Sequence, residues 1–172
     1  NALAGNNFRD SIVGYQKFIG NGSWIDYFFS NELSKNVDGY RISSYLYKDK
    51  EKTLKAGPVW DYDIAYGNAN YCNGTDTTGW AYLFSCTGDS WQVPFWWQKL
   101  QQDTNYTNQM KCRWTDYRNN VLSLSHINGV IDSIASLLNE SKDWNFNQWP
   151  ILGTYVWPNP SPQPSTYAGE IQ

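Results

Sequence analysis

Asp38, Asp61 and Asp63 are the residues of this chain best suited to chemistry. Clustered carboxylates repel one another unless they share a proton or a cation. Brought to one place, they suit a hard, oxygen-seeking ion such as Mg²⁺, which takes one or two carboxylates and completes its shell with water and substrate phosphates. A carboxylate beside such an ion can also accept the proton of an attacking hydroxyl. The same three aspartates would serve equally as simple turn caps.

Their placement depends on the elements around them. Ser23 to Ser34 reads as a helix: Ser23 and Asp26 resemble a capping box, and Ile25, Phe29 and Leu33 fall on one face. Asp10 to Ile19 suggests a shorter helix. From Arg41 to Lys48 the period changes to alternation, the pattern of a strand. Asp49-Lys50-Glu51-Lys52 is a charged turn, and Thr53 to Trp60 a second strand, with Pro58 implying an edge or bulge. A hairpin centred between Lys50 and Glu51 sets Asp38 opposite Asp63 and Tyr40 opposite Asp61. All three carboxylates are then expected at its open end.

The rest of the chain is coarser. Residues 61–91 form a long Gly-, Asn- and Thr-rich stretch, of the kind that is functional or hides short elements. Pro94 opens a helix running to Leu100. A further helix covers Asn105 to Val121, with Tyr106, Met110, Trp114, Tyr117 and Val121 as its stripe. Ser125 to Leu138 is another, with Ile127, Ile131, Ile134 and Leu138. Both stripes are expected to be core faces. Residues 157–165 are a Pro-rich extended tether. The fold class expected is therefore α+β, mostly helical, in a single domain.

Composition narrows the function. The 172 residues are 41% hydrophobic and 17% aromatic, with ten Trp and thirteen Tyr, so many rings must be buried. The net charge of −3 and the lack of any basic run argue against nucleic-acid binding. One His and three Cys without a C-x-x-C argue against zinc. Cys72 and Cys86 suit either a disulfide or two buried thiols. No apolar run is long enough to span a bilayer, and no signal peptide is visible from Asn1 onward. Tyr167 to Gln172 reads as the start of a helix cut short, which points to a piece of a longer protein.

The stretch Asn31-Glu32-Leu33-Ser34-Lys35-Asn36-Val37-Asp38-Gly39-Tyr40-Arg41, with Ser44-Tyr45-Leu46-Tyr47-Lys48-Asp49 after it, resembles the catalytic-loop region of the spore-coat protein H (CotH) kinase family. Gly57-Pro58-Val59-Trp60-Asp61-Tyr62-Asp63-Ile64-Ala65-Tyr66-Gly67-Asn68 resembles that family's metal-binding motif. The tail from Trp149 to Pro160 is similar to versions in secreted or surface bacterial proteins. The resemblance implies the carboxy-terminal lobe of an atypical protein-kinase-like fold, whose hairpin carries the catalytic and metal-binding Asp. It implies phosphoryl transfer from ATP, with Mg²⁺ or Mn²⁺, to Ser or Thr of a surface or coat protein. On the matching positions, Asp38 would orient or deprotonate the acceptor hydroxyl. Asp61, and more weakly Asp63, would hold the metal. Arg41, Ser43 and Asn68 would face the nucleotide.

Two departures from the kinase pattern stand out. Five residues after the catalytic Asp, kinases carry an Asn that binds a second metal. That position here is Ser43, with Asn36 or Asn68 as substitutes. No Gly-rich phosphate loop and no identifiable phosphate-pairing Lys of an amino-terminal lobe stand out, so the chain, read as mainly the second lobe, is expected to transfer phosphate weakly or not at all by itself. An alternative is a non-catalytic surface module that binds glycan, for which Trp91, Trp96 and Trp97 offer a stacking platform, although the three suit a buried aromatic cluster better. Hydrolysis by paired carboxylates fits less well, since the hairpin would hold Asp38 and Asp63 too close for an inverting pair.

Overall fold

A computed structural model describes residues 2–171. Among these residues, six α-helices and one two-stranded antiparallel sheet make up most of the regular structure: α1 (Asn21–Ser34), β1 (Leu46–Tyr47), β2 (Lys55–Ala56), α2 (Phe95–Leu100), α3 (Thr104–Asn119), α4 (Leu124–Leu137), α5 (Ser141–Gln148) and α6 (Tyr167–Ile171). The mostly helical α+β class is as expected. Among the described residues no helix is long and apolar enough to cross a membrane.

Helix α1 is the central element. It is apolar around most of its circumference, as a helix covered on several sides must be. Trp24, Ile25, Tyr27, Phe28, Asn31 and Ser34 are buried, whereas Leu33 is exposed, so the core face is wider than the Ile25/Phe29/Leu33 stripe and displaced from it. The helix starts at Asn21 behind Gly20, which makes no side-chain cap. Ser23 lies inside it, donating to the Gly20 carbonyl (2.9 Å) and accepting from the Ala56 amide (3.3 Å), which ties α1 to β2.

Trp97 of α2 fills the space beside α1, with ring centroids 5.0 Å from Trp24, 5.8 Å from Tyr27 and 4.8 Å from Tyr40. It is therefore core, which fits the buried aromatic cluster and takes Trp97 out of the alternative stacking platform. Asp103 caps α3 by accepting from the Asn105 amide (3.0 Å). Its other oxygen accepts from the buried Tyr15 hydroxyl (2.6 Å), which fixes the amino-terminal segment. That segment is a run of turns with one 3₁₀ turn at Tyr15–Lys17, not the expected helix. Asp10 explains this locally: its carboxylate accepts from the Ile12 and Val13 amides, an Asx turn that competes with helix.

The hairpin is present but short. Leu46 pairs with Ala56 and Tyr47 with Lys55, one residue out of the expected register, in which Leu46 faces Lys55. The last inter-strand bond is Gly57 N–H to the Tyr45 carbonyl (2.9 Å), and Pro58 has no N–H to extend the ladder. The stripe of α4 is a second correction: Ile131, Ile134 and Leu138 are exposed, and α4 buries no residue. In α3 only Tyr106 and Met110 are buried.

Candidate functional site: the loop between α1 and the hairpin

The site begins where α1 ends. Lys35 caps the helix in the left-handed conformation (φ 52°), and the Asn36 amide reaches back to the Asn31 carbonyl (3.2 Å). Lys35 points away from the site: its ammonium donates to the carbonyls of Thr78 and Gly79. The reversal turns Asn36 inward, where it is 1% exposed. Its Oδ1 accepts from the Asp38 amide (3.1 Å) and its Nδ2 donates to the Asp61 carbonyl (3.1 Å). One buried side-chain amide thus joins the two motif segments.

The loop after Asp38 is tightly held. The Asp38 carbonyl accepts from the amides of Arg41, Ile42 and Ser43, each at 3.0 Å. Tyr27 of α1 donates to the Gly39 carbonyl (2.6 Å), and Tyr40 donates to Glu32 Oε1 (2.8 Å). Glu32 also accepts from the Ala81 and Tyr82 amides; burial pushes its carboxyl up, and these donors oppose that. A Cβ at position 39 would lie 1.8 Å from Asn31 Oδ1, so a larger residue there must displace the buried Asn31 side chain from its bonds to Tyr27 and Tyr62.

Arg41 holds the Asp38 carboxylate. Its Nη2 lies 2.6 Å from Asp38 Oδ1 and its Nη1 2.7 Å from Asp89 Oδ2. It also donates to the carbonyls of Val37 (2.9 Å) and Trp91 (2.5 Å). The Arg41 side chain is 1% exposed and its guanidinium is committed to these four acceptors, so it is enclosed by the protein and not presented to a nucleotide as expected. The second oxygen of Asp38 accepts from the Tyr71 hydroxyl (3.1 Å). Burial, then the neighbouring Asp38 charge and that hydrogen bond, push the phenol up to about 12.

Ser43 reaches the other motif, donating to Asp61 Oδ2 (3.0 Å). Asp61 is exposed and held at a positive φ (63°), a conformation uncommon for a residue other than glycine. Asp63 and Asn68 make no hydrogen bond to this group among the described residues, although the Asp63 charge reaches Tyr71. Asn68 donates to the Asp63 carbonyl (2.7 Å), and both line a 630 Å³ cleft against the Pro-rich tail. The three-carboxylate convergence expected from the hairpin is absent: among the described residues no group of three or more His, Cys, Asp or Glu could hold a metal. The ladder stops at Tyr45, so strand pairing does not align Asp38 with Asp63.

What remains is Asp61, with one oxygen on Ser43 and the other without a hydrogen bond among the described residues, facing solvent. One carboxylate and a hydroxyl suit Mg²⁺ only when phosphate oxygens complete its shell. The donor set fits a metal delivered with a nucleotide, not a metal caged by the protein.

Cys72 and Cys86 form a disulfide across 14 residues, resolving the alternative in favour of pairing and bracing the loop after Tyr71. A loop of this length stabilises by about 3 kcal/mol through the entropy of the unfolded chain. Cys72→Ser with Cys86→Ser is accordingly expected to lower unfolding free energy by that order in urea titration; an unchanged midpoint would show that the bond does not form in solution.

A family description, CotH kinase protein, matches residues 5–170. The chain therefore belongs to the CotH kinase family. No curated protein and no solved structure matches it. Both motif segments and the residues that clamp them lie inside the matched span. Sequence reading missed Tyr71 and Asp89, which lie far beyond Asp38 in a stretch without periodicity.

Proposed function

We propose that the loop between α1 and the hairpin is a phosphoryl-transfer centre of protein-kinase-like, carboxy-terminal-lobe type. It moves the γ-phosphoryl group of ATP to Ser or Thr of a surface or coat protein. The observation that carries this is the Asn36 clamp, which joins the Asp38 turn to the Asp61 turn through one buried side chain. In protein kinases an Asp before a short hairpin receives the acceptor proton, and an Asp after it holds the metal. Asp38, the hairpin and Asp61 keep that order.

Each residue then has a distinct task. Asp38 accepts the hydrogen bond of the attacking hydroxyl and takes its proton. Arg41 is a positioning residue that fixes the Asp38 carboxylate. Asp61 and Ser43 offer the oxygens for Mg²⁺ or Mn²⁺, which would neutralise phosphate charge once bound with nucleotide. The Cys72–Cys86 disulfide supports a secreted or cell-surface setting, because such bonds persist in oxidising compartments.

Ligand-induced stabilisation of the full-length protein tests this reading. ATP with Mg²⁺ at about 100 times its Kd should add about 2.7 kcal/mol to unfolding free energy. Asp61→Asn should remove the Mg²⁺-dependent part of that gain. A gain that is absent, or identical in Asp61→Asn, would contradict the assignment of the metal to Asp61.

A further inference from the structure

Each oxygen of Asp38 already accepts a side-chain hydrogen bond from the protein. Arg41 takes Oδ1, and Tyr71 takes Oδ2 at 3.1 Å. A hydroxyl that is to lose its proton to Asp38 must come within about 2.6–3.2 Å of a carboxylate oxygen. The Tyr71 phenol stands at that distance and donates in that sense. It is a hydroxyl presented to the candidate base as an acceptor would be.

Tyr71 is also held there from outside the motif. Its ring stacks on Trp157 in the Pro-rich segment, with centroids 6.3 Å apart and planes 11° from parallel. The preceding residue is tied to the same segment: the Asn70 amide donates to the Pro158 carbonyl (2.7 Å) and its side chain to the Tyr155 hydroxyl (3.0 Å). The following residue, Cys72, is fixed by its disulfide. Trp157 is itself 71% exposed, so the ring on Tyr71 is an outlying clasp and not part of the core.

We propose that Tyr71 is a pseudo-acceptor: its phenol occupies the acceptor-hydroxyl position at Asp38, and the Trp157 strap keeps it there until a protein acceptor displaces it. The proposal rests on Asp38 being the base of the transfer reaction. It makes Tyr71 and Trp157 determinants of acceptor affinity, with no role in nucleotide binding. Hydrogen bonds to charged groups are strong enough that losing this competitor should improve acceptor affinity about tenfold or more.

The test uses the full-length protein and a fluorescein-labelled Ser-rich peptide. With ADP and Mg²⁺ present, anisotropy titration should show Tyr71→Phe binding the peptide about tenfold tighter than the parent, and Trp157→Ala shifted the same way. In steady-state transfer, Tyr71→Phe should lower the KM for peptide by a similar factor and leave the KM for ATP unchanged. Equal peptide affinity in parent and Tyr71→Phe, or weaker binding by the variant, would overturn the proposal. Transfer that needs Asp38 but ignores Tyr71 would sink the pseudo-acceptor alone. Transfer that survives Asp38→Asn in every background would remove the phosphoryl-transfer reading, and the pseudo-acceptor with it.

Discussion

Asp38→Asn is expected to reduce phosphoryl transfer by about 10²–10⁴-fold, the range typical of losing a positioned general base. The substitution is nearly isosteric. The side-chain amide that replaces the carboxylate keeps an oxygen for Arg41 and a group for Tyr71, and the bond from the position 38 backbone amide to Asn36 does not depend on the side chain. The loop should therefore fold as before, with an unchanged circular dichroism spectrum and ATP affinity. What is lost is proton acceptance, together with the negative charge that Asp38 presents to Arg41; Asp89 still pairs that cation. A turnover number that holds within a factor of about two would assign the proton to another group.

Arg41→Met is expected to cost about 3–5 kcal/mol of stability, the range for breaking a buried ion pair. Two features set the size of the loss. The Arg41 side chain is 1% exposed, while Asp38 and Asp89 are 15% and 31% exposed at their side chains, so water can repair the acids only in part. The carbonyls of Val37 and Trp91 also lose their donor. Arg41→Lys should recover little, because one ammonium cannot reproduce a fork aimed at four acceptors. Chemical denaturation of the three proteins measures this. A Met variant within about 1 kcal/mol of the parent would contradict it.

A surface pair gives the contrast. Arg113 makes an equally well-formed fork to Asp26, joining α3 to α1 at 2.8 and 2.9 Å. Both partners are roughly half exposed there, and such a pair contributes only about 0–1 kcal/mol. Burial, not geometry, makes Arg41 the critical cation.

Much of the framework is legible in the sequence, because local rules govern it. The apolar density of residues 24–33 forces a helix, the charged turn at 49–52 forces a reversal, and Ser123 caps α4 close to the expected start. The register is not so legible: two paired residues on each strand leave too little side-chain alternation to fix it. The stripe on α4 illustrates the opposite problem. Helical periodicity shows that a face is apolar, but not that anything in the chain covers it.

The site divides in the same way. Asp38, Ser43 and Asp61 are brought together, but by Asn36 and the end of α1, not by the hairpin ladder that spacing suggests. Tyr71 reaches Asp38 through a loop fixed by a disulfide and a Pro-rich strap, contacts that carry no periodic signal. Asp63 shows the limit of motif reasoning: two residues beyond Asp61, it lines the cleft against the Pro-rich tail, and it acts on Tyr71 through its charge with no hydrogen bond to Asp38 or Asp61 among the described residues.

The most direct measurement is a double-mutant cycle on transfer of labelled γ-phosphate to a Ser-rich acceptor in the full-length protein with Mg²⁺. Residues that act as one unit are strongly non-additive. Asp38→Asn, Asp61→Asn and the double variant should therefore fall to about the same residual rate. Losses that multiply independently, or transfer that persists in the double variant, would show that Asp38 and Asp61 do not form a single centre.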